Sequence, residues 1–282
     1  MKPLRIIPKI DVKGPNVVKG IHFEGLRVLG EPHNFAKQYF EAGADEIYYQ
    51  DVVASLYGQN TLEEIIKKTA KNIFIPLTVG GGIRSLDDIR HILRCGADKV
   101  SINTQAVKDP KFITEASNEF GSSTIVVALE VNRSKDGKYI IYTDNGREMT
   151  NLNAIDWCKE VEKLGAGEII VTSIEREGTG KGFDIELCEE IKKNINIPLI
   201  IHGGAGSIEH VITASKNKYK FDGISIASLL HYTLVKNNKL KFSNDLGNKE
   251  FLNKNKNFLK FENCEIKMLK KRLALNNIDV RL

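Results

Sequence analysis

The chain has 282 residues, 41% of them hydrophobic, with a formal net charge of +5. That length suits one α/β barrel of roughly 250 residues with an extension, and no apolar run of about 18 residues exists to form a membrane span. The positive charge is local: 236–272 holds 11 Lys/Arg against 4 Asp/Glu, so no basic face spreads over the chain, and the absence of any nucleic-acid motif argues against a nucleic-acid partner.

In chain order, the first strand is predicted over Arg5–Asp11. A loop from Gly14 to Pro32 follows, long enough to serve as a lid. Further strands are predicted at Glu46–Val52, Ile75–Val79, Lys99–Ile102, Thr124–Val131, Glu168–Thr172, Pro198–Ile201 and Gly223–Ile226. Amphipathic stretches lie between them, among them Leu62–Asn72, Ser85–Cys95, Asn153–Leu164 and Ile185–Asn194. Strands alternating with helices imply a parallel sheet, and eight strands suffice to close it. The fold class is therefore α/β, a (β/α)8 barrel in one domain over residues 1–282.

The segment 236–264, rich in Lys and Asn, breaks the alternation before a last helix at Glu265–Asn276. It reads as an insertion, weakly structured alone, although Phe242, Phe251, Phe258 and Phe261 suit packing on the barrel or a partner. The N-terminus MKPLRIIPKIDVKG lacks a signal-type apolar region, so a cytoplasmic protein is expected. Cys95, Cys158, Cys188 and Cys264 are scattered without a C-x-x-C pair and read as reduced, packed thiols. No His/Cys/carboxylate group shows metal-ligand spacing, so neither metal nor cofactor is expected.

The chain also repeats itself. EAGADEI at 41–47 matches KLGAGEI at 163–169, TVGGGIRS at 78–85 matches IHGGAGSI at 201–208, and VSINT at 100–104 matches ISIAS at 224–228. The offsets are 122, about 123 and 124 residues, and Asp11 and Glu130 match at an offset of 119. The barrel is thus expected to consist of two (βα)4 halves.

Barrel active sites lie at the C-terminal ends of the strands. The predicted strands end there in Asp11, Asp51, Asn103-Thr104, Glu130 and Thr172-Ser173, and two end in glycine pairs, Gly81-Gly82 and Gly203-Gly204. Such pairs let an anion approach backbone N–H groups. Asn103-Thr104 and Ala227-Ser228 stand beside them, each expected to start a helix whose N-terminus favours phosphate. Two matched anion sites imply a small-molecule substrate with a phosphate at each end. Asp11 and Glu130, one per half, could divide acid and base roles, unless one simply pairs with Lys9 or Lys19. Lys9 should share the inward face of Asp11 by the period-two rule.

The stretches RIIPKIDVKG with VVKG, DVVAS, TVGGGIRS, GADKVSINT, GAGEIIVTSIEREGTGKGFD, GGAGSIEH and IDVRL resemble the cyclase subunit of imidazole glycerol phosphate synthase. The resemblance covers almost everything except 236–264. It implies a substrate-binding set that includes Lys19, Gly178 and Thr179. It also implies a class-I glutaminase as heterodimer partner, docked on the N-terminal face and supplying ammonia through the barrel. A charged gate is implied at Arg5, Glu46, Lys99 and Glu168, with Asp98 at the interface. The chain departs from the family pattern at Glu130 and Glu177 (aspartates there), Lys9 (cysteine), Ser123 (glutamine) and His202 (a small residue).

Two readings follow. One is the histidine-pathway cyclase, joining ammonia to a bisphosphate intermediate. The other is a divergent ammonia-conducting barrel serving a sugar amidotransferase that makes acetamidino groups in surface polysaccharide. The isomerase of the same pathway shares the half-barrel repeat but would have no use for the gate. Glu130 and Lys9 together argue for weak histidine-type cyclisation, relieved by Glu130→Asp.

Overall fold

In a computed structural model of the chain, residues 2–54, 62–237 and 261–282 are described. Eight parallel strands form the barrel: β1 (Arg5–Lys13), β4 (Ile47–Asp51), β5 (Leu77–Gly80), β6 (Lys99–Ile102), β7 (Ile125–Arg133), β10 (Glu168–Ser173), β11 (Leu199–His202) and β12 (Gly223–Ile226). They pair in that order, and the pairing of β1 with β12 closes the ring. Around it run α1 (Pro32–Glu41), α2 (Glu63–Ala70), α3 (Leu86–Arg94), α4 (Thr104–Lys108), α5 (Lys111–Phe120), α6 (Ala154–Lys163), α7 (Ile185–Asn194), α8 (Ile208–Ser215), α9 (Ser228–Lys236) and α10 (Ile266–Leu275).

The strand pattern explains the two cores. Odd residues of β1 face the lumen and even ones the helices, because successive side chains alternate. Ile6, Ile10 and Val12 join the large core between strands and helices. Ile7 joins a separate small cluster inside the barrel with Tyr48, Val126, Ile170 and Ile200.

The halves agree at the level of backbone angles. Ser85 (φ −139, ψ 162) and Ser207 (φ −147, ψ 164) both cap helices by accepting the backbone N–H three residues on, from Asp88 and His210. Asn103 (φ −124, ψ −80) and Ala227 (φ −114, ψ −86) share an unusual conformation just ahead of α4 and α9.

Three expectations need correction. Strands β1 and β7 run on to Lys13 and Arg133, so Asp11 and Glu130 sit within strands rather than at their last residues. The loop expected over Gly14–Pro32 is mostly a hairpin, β2 (Asn16–Ile21) and β3 (Glu24–Gly30), paired to β1. A second hairpin, β8 (Tyr139–Thr143) and β9 (Glu148–Asn153), extends β7. Its signal was in the sequence: the alternating run YIIYT followed by Asn145-Gly146, a hairpin-turn dipeptide.

Of the expected insertion, residues 238–260 lie outside the described residues, with Phe242, Phe251 and Phe258 among them. Its end is anchored to the barrel. The Phe261 ring packs on Tyr232 with centroids 5.1 Å apart. Glu262 accepts the Ile208 N–H at 2.7 Å, and Cys264 N–H donates to Thr233 Oγ1 at 2.9 Å. No helix among the described residues is long and apolar enough to cross a membrane.

Candidate active site

At the N-terminal end of the barrel, the four predicted gate residues form one ring. Arg5 Nη1 donates to Glu46 at 3.1 Å and its other terminal nitrogen to Glu168. Lys99 Nζ donates to Glu46 at 3.1 Å and to Glu168 at 3.0 Å. Each buried carboxylate thus has two cationic partners, the condition under which buried charge is tolerated. Thr78 Oγ1 also donates to Glu46, at 2.6 Å. Asp98 does something else: it accepts the Leu77 N–H at 2.8 Å, tying β6 to β5. Asp45 and Asp222 hold Ile6 and Leu199 in the same way. Asp98 is exposed, but its bond to the Leu77 N–H gives it a structural task. Ser123, in the turn Ser122–Thr124 leading into β7, is exposed.

Above the ring lies the apolar belt of Ile7, Tyr48, Val126, Ile170 and Ile200, and above that a polar layer. The register puts Lys9, Asp11, Gln50, Ser101, Glu130, Thr172, His202 and Ser225 on this inward side. Tyr48 crosses from one layer to the other, its hydroxyl donating to Ser101 Oγ at 2.7 Å.

Four charged groups in this layer form a chain: Lys9 to Asp11, Asp11 to Lys19 at 2.9 Å, and Lys19 to Glu177. All four are buried. Burial alone would raise the Asp11 carboxyl; the ammoniums of Lys19 and Lys9 override it and hold Asp11 well below the ordinary carboxylate range. Asp11 therefore pairs with both lysines. Lys19 is no exposed loop residue: β2 carries it into the mouth, and its two carboxylates raise its pKa despite burial. Glu130 is treated oppositely. Burial pushes it up to about 7, against the smaller lowering effects of the Gly146 N–H, which it accepts at 2.8 Å, and of Lys9. The two carboxylates are driven apart, the signature of an acid–base pair.

The β2–β3 hairpin is pinned over this mouth. Besides Lys19–Glu177, His22 Nδ1 lies 2.7 Å from the Ile174 carbonyl and Phe23 N–H donates to Glu177 at 3.3 Å. His22 and Phe23 both have positive φ (53 and 63) at the hairpin tip.

A cleft open to solvent contains Asp51, Gly81, Gly82, Asn103, Thr104 and Glu130 together. A smaller one contains Gly178, Gly203, Gly204, Ala227, Ser228 and His202. The predicted anion positions are thus assembled twice, with α4 starting at Thr104 and α9 at Ser228. The glycines have a second reason to be there. Gly81 has φ +102, and a Cβ on it would lie 2.3 Å from the Asp51 carbonyl oxygen. Asp51 meanwhile accepts the N–H groups of Val53 and Ala54 at 3.0 and 2.9 Å. Thr172 and Ser173 line neither cleft; Ser173 alternates away from the inward face, and its carbonyl accepts the Glu177 N–H at 2.9 Å. Thr179 donates to the Arg176 carbonyl at 2.7 Å.

His202 sits in the smaller cleft with its Nδ1 3.0 Å from the Ser225 carbonyl. Burial and the nearby Lys9 and Lys19 push its pKa down to about 3, so the ring is neutral. Since a carbonyl only accepts, Nδ1 carries the proton and Nε2 is an acceptor without a protein partner.

The expectation that no ligand-type group assembles needs amendment. Glu63, His91 and Cys95 converge between α2 and α3, His91 in α3 and the buried Cys95 four residues on at its C-terminal cap. The Lys67 ammonium shares Glu63 with them and opposes a dication there. All four cysteines are buried and unpaired.

The chain has relatives among known proteins. A family model described as "Histidine biosynthesis protein" matches residues 5–236. The imidazole glycerol phosphate synthase subunit HisF of Legionella pneumophila is 53% identical over 209 residues, 74% of this chain and 99% of that one. That of Alkaliphilus metalliredigens is 46% identical over 239 residues, 85% and 94% of the two chains. That of Bacillus cereus is 48% identical over 228 residues, 81% and 90%. The chain belongs to the family of the imidazole glycerol phosphate synthase subunit HisF.

Proposed function

We propose that this chain is the cyclase subunit of an imidazole glycerol phosphate synthase, using ammonia on a substrate with two phosphates in histidine biosynthesis. The observation that carries this is a stack: a closed charge ring, an apolar belt, and two carboxylates of opposite pKa shift between matched anion positions. The relatives above carry the histidine-pathway name, and none supports the surface-sugar reading.

In this reading a glutaminase subunit docks on the gate end and releases ammonia beneath Arg5, Glu46, Lys99 and Glu168. Neutral ammonia crosses the belt of Ile7, Val126, Ile170 and Ile200 more readily than ammonium, because an ion there has no partner. Each phosphate of the substrate takes one helix start, at Thr104 and Ser228. Asp11, held ionised, is the base. Glu130, carrying a proton much of the time near neutral pH, is the acid. The products are imidazole glycerol phosphate and an aminoimidazole carboxamide ribotide. Supplying the purified chain with the bisphosphate intermediate and an ammonium salt tests the reading: both products should form without any glutaminase.

A further inference from the structure

The turn between β8 and β9 holds a side chain that the acid–base account does not use. Asn145 is buried, at 8% exposure, and both polar atoms of its carboxamide lack a protein partner. It lines the larger cleft beside Glu130 and Thr104. Its backbone has φ +59, between Asp144 at φ +51 and Gly146 at φ +76.

The conformation alone explains why asparagine is permitted, since Asn and Asp enter the left-handed region more readily than other side chains. It does not explain the amide. Glycine would fit the same angles with no buried polar group, and an unpaired buried amide costs stability. An unsatisfied, strained residue on the wall of a cleft marks a place where a ligand completes the bonding.

The turn is also fixed to both chemical parts of the cleft. Asp144 N–H donates to Thr104 Oγ1 at 3.1 Å, at the first residue of α4. Gly146 N–H donates to Glu130 at 2.8 Å. Asn145 therefore stands between the phosphate position and the carboxylate. Asn103 adds another unpartnered atom, Oδ1, in the same cleft.

These orphans specify the ligand's chemistry. Whichever way the Asn145 amide is turned, one end donates and the other accepts. A phosphate with its second pKa near 6 offers mainly acceptors above neutrality, so it cannot satisfy the carbonyl oxygens of Asn145 and Asn103. A hydroxyl both donates and accepts. We propose that Asn145 is a recognition residue that holds a sugar or glycerol hydroxyl next to the phosphate seated at Thr104. The inference rests on the phosphate site within the proposed function and adds what lies beside the phosphate.

The test compares inorganic phosphate with glycerol 3-phosphate, each titrated into the wild-type chain and into Asn145→Gly. Two hydrogen bonds of about 1 kcal/mol together correspond to roughly 10-fold in affinity or more. The wild type should prefer glycerol 3-phosphate by about that factor, and the variant should lose the preference while binding inorganic phosphate equally well. Its melting temperature should be unchanged or higher, because glycine suits the backbone and removes the unpaired amide. A merely structural Asn145 would show the reverse, a lower melting temperature with the preference intact, and that result overturns the proposal; so does a wild type with no preference. Turnover of the bisphosphate by the wild type, measured in parallel, reports on the cyclase reading separately. If turnover is present while the preference is absent, only the Asn145 assignment fails.

Discussion

Lys9 and Asp11 lie two residues apart on one strand, both turned into the barrel, and the ammonium of one pairs with the carboxylate of the other. Lys9 also acts at a distance on Glu130, lowering its pKa. Glu130 must be protonated to act as the acid, so the rate per free ammonia should fall as pH rises through about 7. No acidic limb from Asp11 should enter the working range, because its carboxyl is held far below it. In Lys9→Met the cation that lowers Glu130 is gone, so the falling limb should move to higher pH. A limb that stays in place, measured at saturating bisphosphate, contradicts the assignment of Glu130.

Sequence alone argues that Glu130→Asp restores a faster cyclase. The geometry argues the opposite. The longer arm of Glu130 reaches the Gly146 N–H at 2.8 Å, and shortening it by one methylene breaks that bond. A misplacement of about 1 Å can cost on the order of 10²-fold. Glu130→Asp should therefore lower kcat, and Glu130→Gln should lower it by about 10²-fold or more.

Glu130 also has a stability signature. Its folded pKa of about 7 lies above the ordinary 4.5, so between these values the folded state holds the extra proton. Stability should fall as pH rises across that window and stay lower above it. Glu130→Gln removes the penalty, so at pH 8 the variant should be more stable than the wild type by on the order of 1–3 kcal/mol. Denaturant midpoints at pH 5 and pH 8 check this; an equal difference at both contradicts it.

Much of this was legible beforehand, for definable reasons. The 3.6 and 2.0 periodicities and the repeat offset of about 122 residues located the barrel, its halves and the two clusters of glycine pair and helix start. The charge ring of Arg5, Glu46, Lys99 and Glu168 was legible only through resemblance, since four charges at strand starts do not announce it. The hairpins are hidden by the expectation of one strand per βα unit, although YIIYT and Asn145-Gly146 carry the signal. Neither the burial of Lys19 nor its bond to Glu177, 158 residues away, has a local signature. Asn145 was missed for the same reason: what distinguishes it is the absence of a partner.

The gate should separate two activities. Lys99→Met removes one cation from each gate carboxylate, and Arg5 still pairs with both. Glutamine-dependent turnover with a glutaminase subunit should fall, whereas turnover with added ammonium salt should stay within a few-fold of wild type. Equal losses in both assays contradict a gating role.

The two anion positions should show themselves in stability. Ligands that bind only the folded state raise its melting temperature, so millimolar inorganic phosphate should protect the wild type. Thr104→Asp and Ser228→Asp each put a carboxylate at a helix start where phosphate would sit, and the double variant should lose the protection. Full protection of the double variant places phosphate elsewhere.

The most direct test of the account is turnover by the chain alone. Purified protein, the bisphosphate intermediate and an ammonium salt should yield imidazole glycerol phosphate and the aminoimidazole carboxamide ribotide in equal amounts, with Glu130→Gln at least about 10²-fold slower. A folded wild-type chain that binds the bisphosphate but releases neither product would contradict the cyclase assignment.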